Sequence, residues 1–223
     1  ETTDLAAKNP EKLEELKKKW HEEAIKYNVY PLYDDVAARA ANIQKRAGTS
    51  NAYTYYPPGA EFIHEALSPP VKNRAHTITA SVETDGKTEG VIVAAGGYFS
   101  GYSLYVRQNI VTYAYNAFDQ NYYRIEASKP LTAGKHEIKF VYEVIAGADR
   151  ASPTGKGTLF IDGERVGEGA IDRTVPGMFS VSEPFDVGAD NGGSVDRKAY
   201  ASPFKFSDTL NFVRFDLAPP QMK

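Results

Sequence analysis

From His76 to Ala218 the chain alternates apolar and polar residues in one short run after another, and no helix-length segment separates the runs. "HTITASVET" places Ile78, Ala80 and Val82 on one face, and "EGVIVAAGG" is a continuous apolar stretch of the kind a buried strand shows. "GYSLYVRQNIVTYAYN" reads as a hairpin. Tyr102, Leu104 and Val106 share a face, Gln108-Asn109 turns, and Val111, Tyr113 and Tyr115 continue the alternation. "NYYRIEAS", "GKHEIKFVYEV", "GKGTLFIDGERVGEGAI" and "DTLNFVRFDLA" extend the series, with Asp162-Gly163 as a type I′ turn signal. Parallel strands would need long crossover connections between them, and these are missing, so a parallel α/β fold is excluded. About ten to twelve short strands at this spacing predict a mainly β protein, an antiparallel two-sheet β-sandwich of the jelly-roll or concanavalin-like kind.

A helical segment precedes the strands. Asn9 and Pro10 mark a helix start, with Glu11, Glu14 and Glu15 near its positive end and Lys17, Lys18 and Lys19 further along. Leu13, Leu16, Trp20, Ala24 and Tyr27 form a single apolar stripe, Asn28 suits a left-handed stop, and Pro31 prevents continuation. "DDVAARAANIQKRAG" predicts a weaker helix over 34–48 with an alanine face. Pro57-Pro58 and Pro69-Pro70 rule out a central strand between 51 and 75. The expected organisation is a helical segment over 1–50, a Pro-rich linker over 51–75 and a β-sandwich over 76–218.

Composition narrows the chemistry. The 223 residues carry a formal charge of -3, which leaves no cationic footprint for nucleic acid or an anionic membrane. No apolar run approaches the ~20 residues of a membrane span. There is no cysteine, so disulfides, thiolate nucleophiles, cysteine-bound zinc and iron–sulfur clusters are excluded. Tyrosine is abundant, at 15 residues against 1 tryptophan, which suits strands.

Four histidines, His21, His64, His76 and His136, lie on separate elements without ligand spacing. "FDVGADNGGSVD" brings Asp186, Asp190 and Asn191 together in a glycine-rich loop. Such oxygen ligands suit calcium, but the spacing is not that of an EF-hand, and turn chemistry explains the same residues. "DRASPTGKGT" lacks the first glycine and the Ser or Thr of a phosphate loop, and is read as a loop. Tyr98, Phe99, Tyr102, Tyr105, Tyr113, Tyr115, Tyr122 and Tyr123 either fill the core or, exposed and coplanar, stack on sugar rings. Arg107, Arg124, Arg150 and Lys156 suit a sulfated or acidic ligand, but acids interleave with them as they would on a solvated face. No residue is assigned a catalytic, cofactor-binding or metal-binding role.

Two stretches resemble a known family. "ETTDLAAKNPEKLEELKKKWHEEA" resembles the segment after the catalytic domain of sulfatases. "VKNRAHTITASVE", "EGVIVAAGGYFSGYSLYV", "TYAYN", "GKGTLFIDGERVGEG" and "RTVPGMFSVSEPFDVGAD" resemble the C-terminal extension of bacterial arylsulfatases. The resemblance covers roughly 1–30 and 71–217. It implies a parent enzyme that hydrolyses sulfate esters with a formylglycine, made within a Cys/Ser-x-Pro/Ala-x-Arg motif, and with calcium held by Asp and Asn. This chain departs from that pattern: Ser182-Glu183-Pro184-Phe185-Asp186 has aspartate where arginine belongs, and Asp34-Asp35 lies away from any strand end. The expectation is therefore a non-catalytic accessory domain, a C-terminal fragment without cofactor. Its first helix would pack on the catalytic sulfatase domain of the same polypeptide, or on a second copy through Leu13, Leu16 and Trp20. The alternative is a lectin-like carbohydrate-binding module.

Overall fold

A computed structural model describes residues 4–30, 32, 50–145 and 154–219. The chain divides into two units, Glu1–Arg46 and Ala47–Lys223. In the first, helix α1 spans Pro10–Lys26. Proline at the first position needs no hydrogen-bond donor there. Asn9 occupies the N-cap position, yet its side-chain amide donates to the Leu5 carbonyl and makes no capping bond. Asn28 is left-handed, with φ 54°, and closes the helix as expected. Ala24 is buried, whereas Leu16 and Trp20 are half exposed. The predicted helix over 34–48 lies outside the described residues.

The second unit is an antiparallel sandwich of two six-stranded sheets. One sheet runs β1 (Ala52–Tyr55), β12 (Thr209–Leu217), β3 (His76–Thr84), β8 (Gly134–Val144), β9 (Gly155–Ile161), β10 (Glu164–Ile171). The other runs β2 (Ile63–His64), β11 (Pro184–Val187), β4 (Gly90–Gly96), β5 (Gly101–Arg107), β6 (Ile110–Ala117), β7 (Asn121–Glu126). Mainly β architecture with two antiparallel sheets is what the alternation predicts. Among the described residues no helix is long and apolar enough to cross a membrane.

The expected linker over 51–75 is corrected by this topology. β1 pairs with β12 and β2 with β11, so the stretch supplies one edge strand to each sheet. The prolines exclude only interior strands, because a sheet edge leaves one side of the backbone unpaired and tolerates a missing donor nearby. The sandwich therefore begins well before His76.

The core lies between the inner faces. Ile78, Ala80 and Val82 of β3 meet Tyr102, Leu104 and Val106 of β5 and Val111, Tyr113 and Tyr115 of β6 in one buried cluster. Tyr113 stacks on Phe140 across the two sheets with ring centroids 3.5 Å apart, and Phe185 of β11 meets Phe215 of β12 at 5.9 Å. Both two-residue hairpins form as the sequence predicts. Gln108 and Asn109 have φ of 51° and 62°, and Asp162 and Gly163 have 52° and 79°, the left-handed pair a type I′ turn requires.

β4 is buried along its whole length. Its inner residues Ile92, Val93 and Ala95 join the core, while Val91 and Ala94 lie on the outer face beneath a strap formed by residues 188–206. The strap leaves the sheet where the Gly188 N–H donates to the Ile92 carbonyl. It crosses the face on Val195, Ala199, Tyr200 and Phe204, and returns where the Val91 N–H donates to the Phe204 carbonyl. Gly90 permits the return: its φ is 110°, and a Cβ there would come within 2.0 Å of the Lys205 carbonyl oxygen.

Candidate functional site

The strap covers only part of the outer face of the β4–β7 sheet. The hairpin at Gln108-Asn109 fixes the register of the rest. Tyr105 pairs with Thr112, which pairs with Glu126; Arg107 pairs with Ile110; and Ala114 pairs with Arg124. Side chains of alternate residues share a face, so Tyr105, Arg107, Ile110, Thr112, Arg124 and Glu126 all stand on this outer surface. Beside them Lys198 and Ala199 of the strap form a wall. The result is a pocket of about 370 Å³ with a polar lining.

The floor of the pocket is locked by the strap itself. Asp196, on the strap, is fully buried and accepts the Tyr105 hydroxyl at 3.1 Å and the Arg124 Nε–H at 2.5 Å, and Arg124 Nη2 pairs with its other oxygen. The carboxylate thus takes the guanidinium as a fork, which fixes the arginine plane. Hydrogen bonding to Asp196 raises the Arg124 pKa further, and burial beside the same carboxylate raises that of the Tyr105 hydroxyl. Arg124 stays ionised and Tyr105 neutral at any physiological pH. The Arg124 side chain is still 31% exposed, so its remaining N–H groups are available to a ligand. Lys198 Nζ sits 4.5 Å from the centroid of Tyr122, whose hydroxyl donates to Asp119 at 2.6 Å.

Polarity within the pocket is mixed. Arg107, Arg124, Lys198 and Gln108 bring donors; Glu126, Gln108 and Thr112 bring acceptors; Ile110 and Ala199 supply apolar surface. Among the described residues, neither Arg107 nor Lys198 makes an ion pair with a carboxylate.

The residues singled out in the sequence fare differently. Arg107 and Arg124 are brought together here, while Lys156 sits on β9 in the opposite sheet and pairs with Glu168 at 2.7 Å. Arg150 lies outside the described residues. Of the aromatic group, Tyr102, Tyr113 and Tyr115 are buried in the core between the sheets, and Tyr105 is buried on the outer face beside the strap. Tyr98 and Phe99 are half exposed, and Phe99 meets Phe118 edge-on at 72°.

Asp186 and Asp190 serve the strap. Asp186 accepts the N–H groups of Phe62 and Asn191 at 2.6 and 3.1 Å; Asp190 accepts that of Val195 at 3.1 Å and the Tyr200 hydroxyl at 2.7 Å. The Asn191 and Val195 bonds are local turn contacts, the Phe62 bond ties in a segment 124 residues away, and burial pushes the Asp190 carboxyl up to about 6. Among the described residues no group of three or more His, Cys, Asp or Glu is placed to hold a metal.

The histidines remain apart. His21 Nδ1 meets the Tyr30 hydroxyl at 2.7 Å, His64 Nδ1 accepts the Ala66 N–H, and His136 pairs with Asp162 at 2.7 Å. His76 is buried between the sheets.

Sequence reasoning missed Asp196, Lys198, Gln108, Ile110, Thr112 and Glu126. The Gln108-Asn109 turn did carry the register that lines up Tyr105, Thr112 and Arg107 with Ile110. Nothing local showed that the strap folds back over that face.

No protein-family model matches the chain, and no curated protein matches it either. Among solved structures, the Ruminococcus gnavus IT-sialidase CBM40 bound to α2,6-sialyllactose aligns with 78% of this chain and 96% of its own at 11% identity, with a TM-score of 0.46. Domains LG4-5 of the mouse laminin α1 chain align over 79% of this chain and 41% of theirs at 9% identity and a TM-score of 0.47. The leech intramolecular trans-sialidase aligns at 12% identity and a TM-score of 0.44, and this chain spans 26% of its length. At such values no property of these proteins passes to this chain. Fold and site define it as an antiparallel β-sandwich with a polar pocket on one outer sheet face.

Proposed function

We propose that the sandwich is a lectin-like carbohydrate-binding module that seats a saccharide in the outer-face pocket. The observation that carries this reading is the pocket's make-up. It is preformed, large enough for a sugar ring, and lined by donors and acceptors in mixture, with its central arginine fixed by a buried carboxylate. A ring of hydroxyl groups asks for such mixed polarity, since each hydroxyl both donates and accepts. An acidic substituent on the sugar would meet Arg107 and Lys198.

The arylsulfatase resemblance belongs to the same proposal. As an accessory domain beside a sulfatase, the module would hold polysaccharide near the catalytic domain. Isothermal titration against neutral, uronic-acid and sulfated polysaccharides tests the binding step. Saturable binding that weakens in Lys198→Ala and Glu126→Gln supports it. Failure to bind any of the three classes, or binding indifferent to both substitutions, overturns it.

A further inference from the structure

The outer-face pocket carries its two unmatched cations at opposite ends. Strand register sets the frame: successive residues on one face of a strand stand about 7 Å apart, and neighbouring strands about 5 Å. Arg107 stands at the hairpin end of β5, paired with Ile110. Tyr122 lies three such steps further along and two strands away, on β7, so the bases of the two side chains are roughly 20 Å apart. Lys198 Nζ sits 4.5 Å from the centroid of the Tyr122 ring, which places the ammonium at that far end. Even with Arg107 extended toward it, the gap between the two charges stays on the order of 10 Å, against ~4 Å for one ion pair.

The ground between them is not cationic. Glu126 lies one step from Arg124 and two from Tyr122 on β7, and it pairs with Thr112. Asp196 already matches the charge of Arg124. Among the described residues Arg107, Lys198 and Glu126 form no ion pair. The order along the pocket is therefore a free cation, a free carboxylate, an arginine matched from within, and a second free cation. A carboxylate in the middle repels an acidic group set over it, yet accepts the hydrogens of sugar hydroxyls.

We propose that the pocket takes a stretch of acidic polysaccharide whose acidic groups fall on alternate sugars. One group meets Arg107 and the next meets Lys198, while the neutral sugar between them gives its hydroxyls to Glu126 and Thr112. This rests on the saccharide-binding reading of the pocket and specifies the charge pattern of its ligand. A single acidic group engages one cation at a time, and a chain charged at every sugar sets a like charge against Glu126. The whole chain has a formal charge of -3, so attraction to such a polymer comes from this placement and not from net charge.

Isothermal titration of the 223-residue chain at low ionic strength tests this with four probes. These are glucuronic acid, a hyaluronan tetrasaccharide with carboxylates on alternate sugars, tetragalacturonate with one on every sugar, and neutral cellotetraose. The hyaluronan tetrasaccharide should bind about tenfold more tightly than any of the others, because it engages both ends at once. Arg107→Gln and Lys198→Gln should each remove that advantage. Glu126→Gln should narrow the gap between the two acidic tetrasaccharides, which a purely structural role would not do. Equal affinity for glucuronic acid and the hyaluronan tetrasaccharide, or for the two acidic tetrasaccharides, overturns the charge pattern and leaves the saccharide site standing. Binding of cellotetraose alone does the same. Absence of binding to all four overturns both.

Discussion

His76 and Asp190 titrate across one pH window with opposite consequences for the fold. Burial holds His76 down to about 4, with the Arg74 carbonyl opposing and the Arg74 charge assisting. Its neutral form is favoured by folding, so its contribution is complete above about pH 6.5 and is lost as the pH falls toward 4. Asp190 is pushed the other way, up to about 6, so the folded state favours its protonated form. Stability from it is present below about pH 3.8 and lost as the pH rises through 6. Each effect is on the order of 3 kcal/mol, and in the wild type they offset one another. His76→Gln should therefore gain stability on acidification from pH 6.5 to 4.5, while Asp190→Asn should lose it more steeply than the wild type. Urea unfolding at several pH values checks both. Arg124→Ala makes a separate prediction: it strands the fully buried Asp196 without its cation, and should cost about 3 kcal/mol in the same assay.

At the scale of elements, glycines and prolines decide where strands turn and which edges they reach. Gly163 and Gly90 both have positive φ, yet they differ in surroundings. A Cβ at Gly163 meets nothing within 4 Å, whereas one at Gly90 strikes the Lys205 backbone. Gly163→Ala should cost about 1 kcal/mol from the turn conformation alone. Gly90→Ala should cost at least about 3 kcal/mol, because the strap has to move off β4. Because the strap carries the pocket wall, Gly90→Ala should also weaken the saccharide binding proposed for that pocket, while Gly163→Ala should leave it unchanged. Denaturant midpoints and titration on the same samples separate the two. The hairpins, the β3 alternation and the buried character of β4 were legible in the sequence, because they arise from neighbours along the chain and from period-2 patterning. The edge strands β1 and β2 were not. Residues 52–55 and 63–64 look like linker beside their prolines, and only pairing with β12 and β11, far away in sequence, makes strands of them.

For the whole molecule, the strap decides which part of the outer sheet face stays open. If the outer-face pocket seats an acidic saccharide, affinity should fall as salt rises, and Lys198→Ala should flatten that dependence while reducing affinity about tenfold at low ionic strength. Titration between low and high salt with a uronic-acid polysaccharide reads both quantities. The sequence by itself determined the antiparallel sandwich, its two tight hairpins, the start and stop of the first helix, and the absence of thiol chemistry. Each of these depends on local backbone preference, side-chain period or composition. The tertiary structure alone decided that Arg107, Arg124 and Lys198 share a pocket, and that Asp186 and Asp190 accept hydrogen bonds that brace the strap. Those outcomes depend on a segment more than seventy residues beyond β7's Arg124 folding back to bury Asp196 against it, a long-range closure that no local pattern encodes.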